Sequence, residues 1–181
     1  MKKQILILIF TFTAIFCNAQ KGAINAKIDI SFEQPVSNFN HQFKTGNGIY
    51  FSYYYGLSEK GSLLFHLGYN NWQLKDTSGK AKGGSLVPIL AGYRYTIFPK
   101  LYLEGAAGPA IFGGIFDGRI RFNYNLGLSY LIKLNNSPSI DISSKFSSVY
   151  NGIKSYNWIE FDVGMFFSSL ENHVSTYSQK R

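Results

Sequence analysis

The stretch IRFNYNLGLSYLI, residues 120–132, constrains the fold more than any other part of the chain. Ile120, Phe122, Tyr124, Leu126, Leu128, Tyr130 and Ile132 are apolar or aromatic. Between them stand Arg121, Asn123, Asn125, Gly127 and Ser129, with Leu131 alone breaking the alternation. Successive side chains of an extended strand point to opposite faces, so this stretch is a strand with one oily and one polar face. It is also long. Soluble strands cluster near five or six residues, whereas a tilted strand that crosses a bilayer takes ~9–11.

The same period-2 pattern returns in eight segments, at 24–34, 47–56, 61–73, 85–97, 101–113, 118–133, 138–150 and 156–167. No stretch after residue 20 carries a 3.6-residue helical period. The links alternate in length. Residues 35–46 (PVSNFNHQFKTG) and 74–84 (LKDTSGKAKGG) are long, whereas 57–60 (LSEK), Phe98-Pro99-Lys100 and Asn135-Asn136-Ser137 are tight. Residues 114–117 and 151–155 are of modest length, so the contrast fades towards the C-terminus. Up-and-down membrane barrels connect strands in this way, with short periplasmic turns and longer outer loops.

Alternation alone does not separate a soluble barrel, polar outside, from a membrane barrel, polar inside. Segment length favours the membrane. So does glycine: Gly68, Gly92, Gly108, Gly127 and Gly164 all fall on the polar parity, where a crowded lumen needs small residues beside large ones. Aromatics on the apolar parity form two bands. Tyr53, Tyr55, Tyr95, Tyr130 and Phe167 lie near the tight-turn end, and Tyr69, Tyr124 and Tyr150 nearer the long-loop end. Two such bands suit two membrane–water interfaces. The expected fold is all-β: an eight-stranded antiparallel up-and-down transmembrane β-barrel. Residues 120–132 then turn their even positions to lipid and their odd positions to the lumen. A mean hydropathy of −0.06 agrees, because only every second residue meets lipid.

The chain begins like an exported protein. Lys2 and Lys3 precede the apolar run Ile5–Phe16, and Cys17-Asn18-Ala19-Gln20 offers a small-residue cleavage context. The run is short for a spanning helix, so cleavage after Ala19 or Gln20 is expected. Phe16 occupies the position where a lipid-attachment signal at Cys17 requires a small residue. Three regions follow: a signal peptide (1–20), a barrel (21–167) and a polar tail (168–181). Cleavage removes the only cysteine, leaving no disulfide and no thiol metal ligand. The formal charge of +8 is spread along the chain, not gathered into the stripe that nucleic acid requires.

The hairpin VPILAGYRYTIFPKLYLEGAAGPAIF, residues 87–112, resembles that of the small outer-membrane β-barrel domain family, whose architecture is of the OmpA/OmpX type. Pro88, Gly92, Tyr93, Arg94, Tyr95, Tyr102, Leu103, Glu104 and Gly108 carry the match. WIEFDVGMFF, residues 158–167, resembles the signal read by the outer-membrane insertion machinery, although this chain continues to Arg181. The resemblance implies the outer membrane of a Gram-negative cell, termini in the periplasm and large loops outside. The implied partners are outer-membrane lipid, lipopolysaccharide and the insertion machinery. It also implies a structural or surface-interaction role. The alternatives are a lipid A-modifying enzyme, since acylases and deacylases use the same scaffold, and a narrow pore or secretion accessory.

Candidate chemistry lies on the lumen parity. A hairpin centred on Pro99 sets Arg94 opposite Glu104, a pair able to form a bidentate ion pair. Lys27, Asp29, Glu33, Arg121, Asp141, Lys145, Glu160 and Asp162 share that parity, giving four cations and six carboxylates in all. Near balance suits a closed ion-pair network, whereas an open pore shows a stronger bias of one sign. The catalytic candidate is His66, with Ser52 opposite it and Asp29 on the next strand, which would need mutual hydrogen-bond reach to act as a triad. No His-x-His or His-x₃-His spacing suggests a metal, and the glycines of GGIFDG (113–118) lack the context of a phosphate loop. No cofactor is expected. GKAKGG (79–84) is a basic loop tip able to meet lipopolysaccharide phosphates.

Overall fold

The computed structural model describes residues 23–75, 83–114, 119–134, 138–150 and 154–168. The expected signal peptide lies outside the described residues. So do the tail beyond Ser168, the loop tip holding Lys80 and Lys82, and the turn Asn135–Ser137.

Eight strands form one closed antiparallel barrel, each paired with the next in sequence and the last with the first. They are β1 (Ile24–Val36), β2 (Phe43–Gly56), β3 (Gly61–Leu74), β4 (Gly83–Phe98), β5 (Leu101–Gly114), β6 (Ile120–Ile132), β7 (Ser139–Tyr150) and β8 (Ser155–Ser168). The closing seam pairs β1 with β8 from Asn25↔Ser168 to Val36↔Asn157. Closure leaves no sheet edge, so the ladder satisfies the strand backbone without help from solvent.

The surface is inverted relative to a soluble protein. In β6, Ile120, Phe122 and Leu126 are 68%, 59% and 56% exposed, whereas Asn123, Asn125 and Ser129 are buried. The same inversion holds around the barrel, with Ile30, Phe65, Phe161 and Met165 outside and Lys27, Asp29, Glu33 and Glu160 inside. An apolar outside around a charged inside fits a lipid environment and no aqueous one. Tyr55, Tyr95, Tyr130 and Phe167 are exposed towards one end, and Tyr69, Tyr124 and Tyr150 towards the other.

Three local features depart from the sequence expectation. The link 35–46 is not an extended loop. β1 runs to Val36, a short helix α1 (Ser37–Gln42) follows, and β2 starts at Phe43. Six residues are too few to print a helical period. No side chain caps α1, and the Phe43 amide closes it on the Phe39 carbonyl. Burial of Phe39 holds the helix in place, together with the Lys75 amide on the Gln42 carbonyl at 2.9 Å and the Lys75 ammonium on Asn40.

The second is the β4–β5 hairpin. Its turn is Pro99–Lys100, with Lys100 at a φ of 73° and Phe98 paired with Leu101. That centre alone would set Glu104 against Tyr95. A register shift between Thr96 and Phe98 makes Ile97 an extra residue and brings Arg94 opposite Glu104.

The third is the role of the lumen glycines. Gly68 does make room for a large neighbour, since a Cβ there would overlap the ring of its register partner Tyr50. At Gly92 a Cβ would instead meet backbone, the Gly105 carbonyl and Ala106 Cα. Glycine there permits close approach of two strands, as a tightly curved sheet requires.

Candidate functional site

The interior is built in three tiers by inward-facing residues two apart on each strand. The tier nearest the tight turns centres on Arg94 of β4. Its Nε lies 3.2 Å from Glu104 Oε1 on β5, and its Nη2 lies 2.9 Å from Asp141 Oδ2 on β7. Nη2 also donates to Ser129 Oγ at 3.0 Å, and that hydroxyl donates to Glu104 at 3.2 Å. The expected bidentate pair is therefore a bridge. One guanidinium divides itself between two carboxylates because Glu104 and Asp141 approach it from different strands. Lys27 completes the tier, 3.0 Å from Asp29 and 3.2 Å from Asp141. The guanidinium also stacks over Tyr102 at 3.8 Å, with Tyr54 and Phe166 at 4.9 and 5.0 Å. These rings close the tight-turn end and place the cation on aromatic faces.

The middle tier holds Ser52 and His66, register partners on β2 and β3. Ser52 Oγ lies 2.7 Å from His66 Nδ1, and the imidazole stacks on Tyr50 with ring centres 4.5 Å apart. The third member of a triad is not assembled. Asp29 is paired in register with Tyr50 and engages Lys27. His66 Nε2 has no hydrogen-bond partner among the described residues, so the ring, though held by Ser52 and Tyr50, has no acid behind it.

The tier towards the long loops contains Glu33, Glu160, Asp162 and Lys145. Lys145 pairs with Asp162 at 2.7 Å. Ser143 Oγ also donates to Asp162 at 2.7 Å. Glu33 accepts from Ser31 and Tyr50, and Glu160 from Ser147 and the Trp158 indole. Above them Phe39 inserts among Phe43, Trp72, Trp158 and Tyr156, with ring centres 4.6 to 6.1 Å away. α1 thus seats an aromatic cap over the mouth.

Arg121 departs from the expected interior set. It is half-exposed, one pair from the start of β6 and opposite Ala110. Its parity is inward, but its position is at the rim. Among the described residues the buried interior accordingly holds three cations, Lys27, Arg94 and Lys145, against six carboxylates, Asp29, Glu33, Glu104, Asp141, Glu160 and Asp162. The excess of two carboxylates counted from parity thereby widens to three. The same parity is shared by residues that the reading of charges did not single out. Tyr50, Tyr54, Asn70, Ser129, Ser143 and Ser147 face inward and join these networks.

Closed antiparallel strands, an apolar exterior and a charged, filled interior define an eight-stranded transmembrane barrel of the outer-membrane kind. Solved structures bear the same fold. Ail of Yersinia pestis aligns over 82% of this chain and 100% of its own, with a TM-score of 0.58 and 15% identity. Neisserial surface protein A aligns over 81% of this chain and 99% of its own, at 0.53 and 16%. The N-terminal barrel domain of Pseudomonas aeruginosa OprF aligns over 81% of this chain and 100% of its own, at 0.53 and 17%. No protein-family model matches the chain, and neither does any curated protein sequence.

Proposed function

We propose that this chain is a non-enzymatic barrel of the bacterial outer membrane, with the long-loop end facing outward and available for surface contacts. One observation carries the reading: side chains fill the lumen throughout. Arg94 with Tyr54, Tyr102 and Phe166 occupies one end, and the Phe39 cap occupies the other. An eight-stranded interior is only wide enough for such a filling, which speaks against a diffusion pore. Ail, an attachment invasion locus protein, has been captured with the heparin analogue sucrose octasulfate. A polyanion is thus bound by that protein, and lipopolysaccharide or a host polyanion is the kind of partner this end would meet.

Planar bilayers doped with the purified barrel should show no conductance steps. Regular unitary steps would reinstate the pore. Trypsin applied to intact cells should cut at the long-loop end, at Lys75, Lys80 or Lys82, and spare Lys100; the opposite pattern inverts the orientation.

A second reading has its own observation, the Ser52–His66 contact at 2.7 Å. On that reading the barrel modifies lipid A. Lipid A from cells lacking the protein, and from cells carrying Ser52→Ala or His66→Ala, should match wild type under the first reading. A lost or gained acyl chain in all three would establish the enzyme.

A further inference from the structure

We propose that a groove on the lipid-facing surface between β5 and β6 binds lipid A, with an acyl chain on Pro109 and a phosphate on Arg121. The proposal rests on the reading above that the long-loop end faces outward. The groove has a volume of about 350 Å³ and is lined by Gly108, Pro109, Ile120, Arg121 and Phe122. The β5–β6 register accounts for it. Phe122 pairs with Pro109, and Gly108 with Asn123. Ile120 and Phe122 are well exposed and stand as ridges, while Gly108 and Pro109 offer little side chain beside them. The low ground continues towards the membrane centre, where the small Ala107 and Gly105 pair with Tyr124 and Leu126. A hydrocarbon chain laid along β5 would meet apolar atoms on both sides.

Charge selects the lipid. Arg121 is half-exposed, and among the described residues its guanidinium has neither an ion pair nor a hydrogen bond. Each buried cation of the lumen, by contrast, has a carboxylate within 3.2 Å. A cation at the edge of an apolar belt finds its counterion in the headgroup layer, and a guanidinium takes phosphate with two parallel hydrogen bonds. Lys44, Lys75, Arg119 and Lys154 are exposed at the same end. Among the described residues the only exposed carboxylate is Glu59, in the turn at the opposite end. A phosphate arriving at Arg121 therefore meets attraction alone from the described side chains around it.

The combination of furrow and cation narrows the occupant. A soluble polyanion would leave the furrow empty. A second copy inserted in the same direction would set one basic rim against another. Lipid A carries acyl chains and two phosphates, so it can fill the furrow and engage Arg121 and a second cation of the rim together. A phospholipid brings a single phosphate and loses that gain.

The test uses the full chain refolded in non-ionic detergent micelles, titrated with bis-phosphorylated lipid A and read by native mass spectrometry. Wild type should hold one lipid A. Arg121→Gln should weaken binding about tenfold or more, the effect of losing one charged hydrogen-bonding partner. Pro109→Leu fills the furrow and should also weaken it, with both variants still migrating as folded barrels on an unboiled gel. Should Pro109→Leu not fold, Arg121→Gln decides alone. Lys133→Gln, which removes the same charge at the opposite end, should bind as wild type does. Dephosphorylated lipid A should bind wild type no better than intact lipid A binds Arg121→Gln.

Equal losses in Arg121→Gln and Lys133→Gln would reduce the effect to net charge and overturn the proposal. So would displacement of lipid A by an equal concentration of phosphatidylglycerol. A lipid-independent dimer that Pro109→Leu dissolves would give the groove to a second copy and overturn it as well. Micelles have no leaflets, so these results stand apart from the trypsin test of orientation.

Discussion

At the scale of single residues, the interior separates groups that the sequence pattern treats alike. Arg94 and Arg121 have the same parity, yet one is buried among two carboxylates and three rings while the other stands half-exposed at a rim. Breaking a buried pair strands a charge and typically costs ~3–5 kcal/mol. Glu104→Gln should therefore lower unfolding stability in micelles by about that amount, whereas Arg121→Gln should stay within about 0.5 kcal/mol of wild type. Comparable losses in both would show that Arg94 has no special place. Gly68→Ala pushes a methyl into the Tyr50 ring and off its stack with His66. Overpacking of this kind costs about 1–3 kcal/mol, and the same unfolding experiment measures it. The charges were legible because period-2 parity gives a side chain's direction. Their depth was not, because parity carries no information on distance from the rim, and Arg121 left the buried set only once its place at the rim was known.

At the scale of elements, the strands are held by pattern and the exceptions by packing. All eight were readable from alternation, and their ends moved by a few residues when the ladder was seen. α1 was not readable. Its one distinguishing residue, Phe39, is buried by aromatics from β2, β3 and β8 that lie far apart in sequence. The Ile97 bulge was equally hidden, although the Arg94–Glu104 register depends on it. Since α1 relies on that burial, Phe39→Ala should release the cap without opening the barrel. Hydrogen exchange should quicken at the Phe43 and Lys75 amides, which bond to α1 carbonyls, while β5 and β6 amides stay protected. Faster exchange throughout the strands would mean that the cap stabilises the whole barrel and is not a local lid.

At the scale of the whole molecule, one arrangement organises the rest: apolar side chains turned outward and charges packed within. A closed barrel of this kind should resist SDS in the cold and shift its gel mobility after boiling, and a single unchanged band would argue against closure. The inversion itself is tested most directly in β6. Single-cysteine variants at 122, 123, 124, 125 and 126, each carrying a small fluorophore and reconstituted in vesicles, are quenched either by nitroxide-labelled lipid or by aqueous iodide. Lipid quenching should be strong at Phe122, Tyr124 and Leu126 and weak at Asn123 and Asn125. Strong lipid quenching at Asn123 and Asn125 with iodide reaching Phe122 and Leu126 would contradict the account.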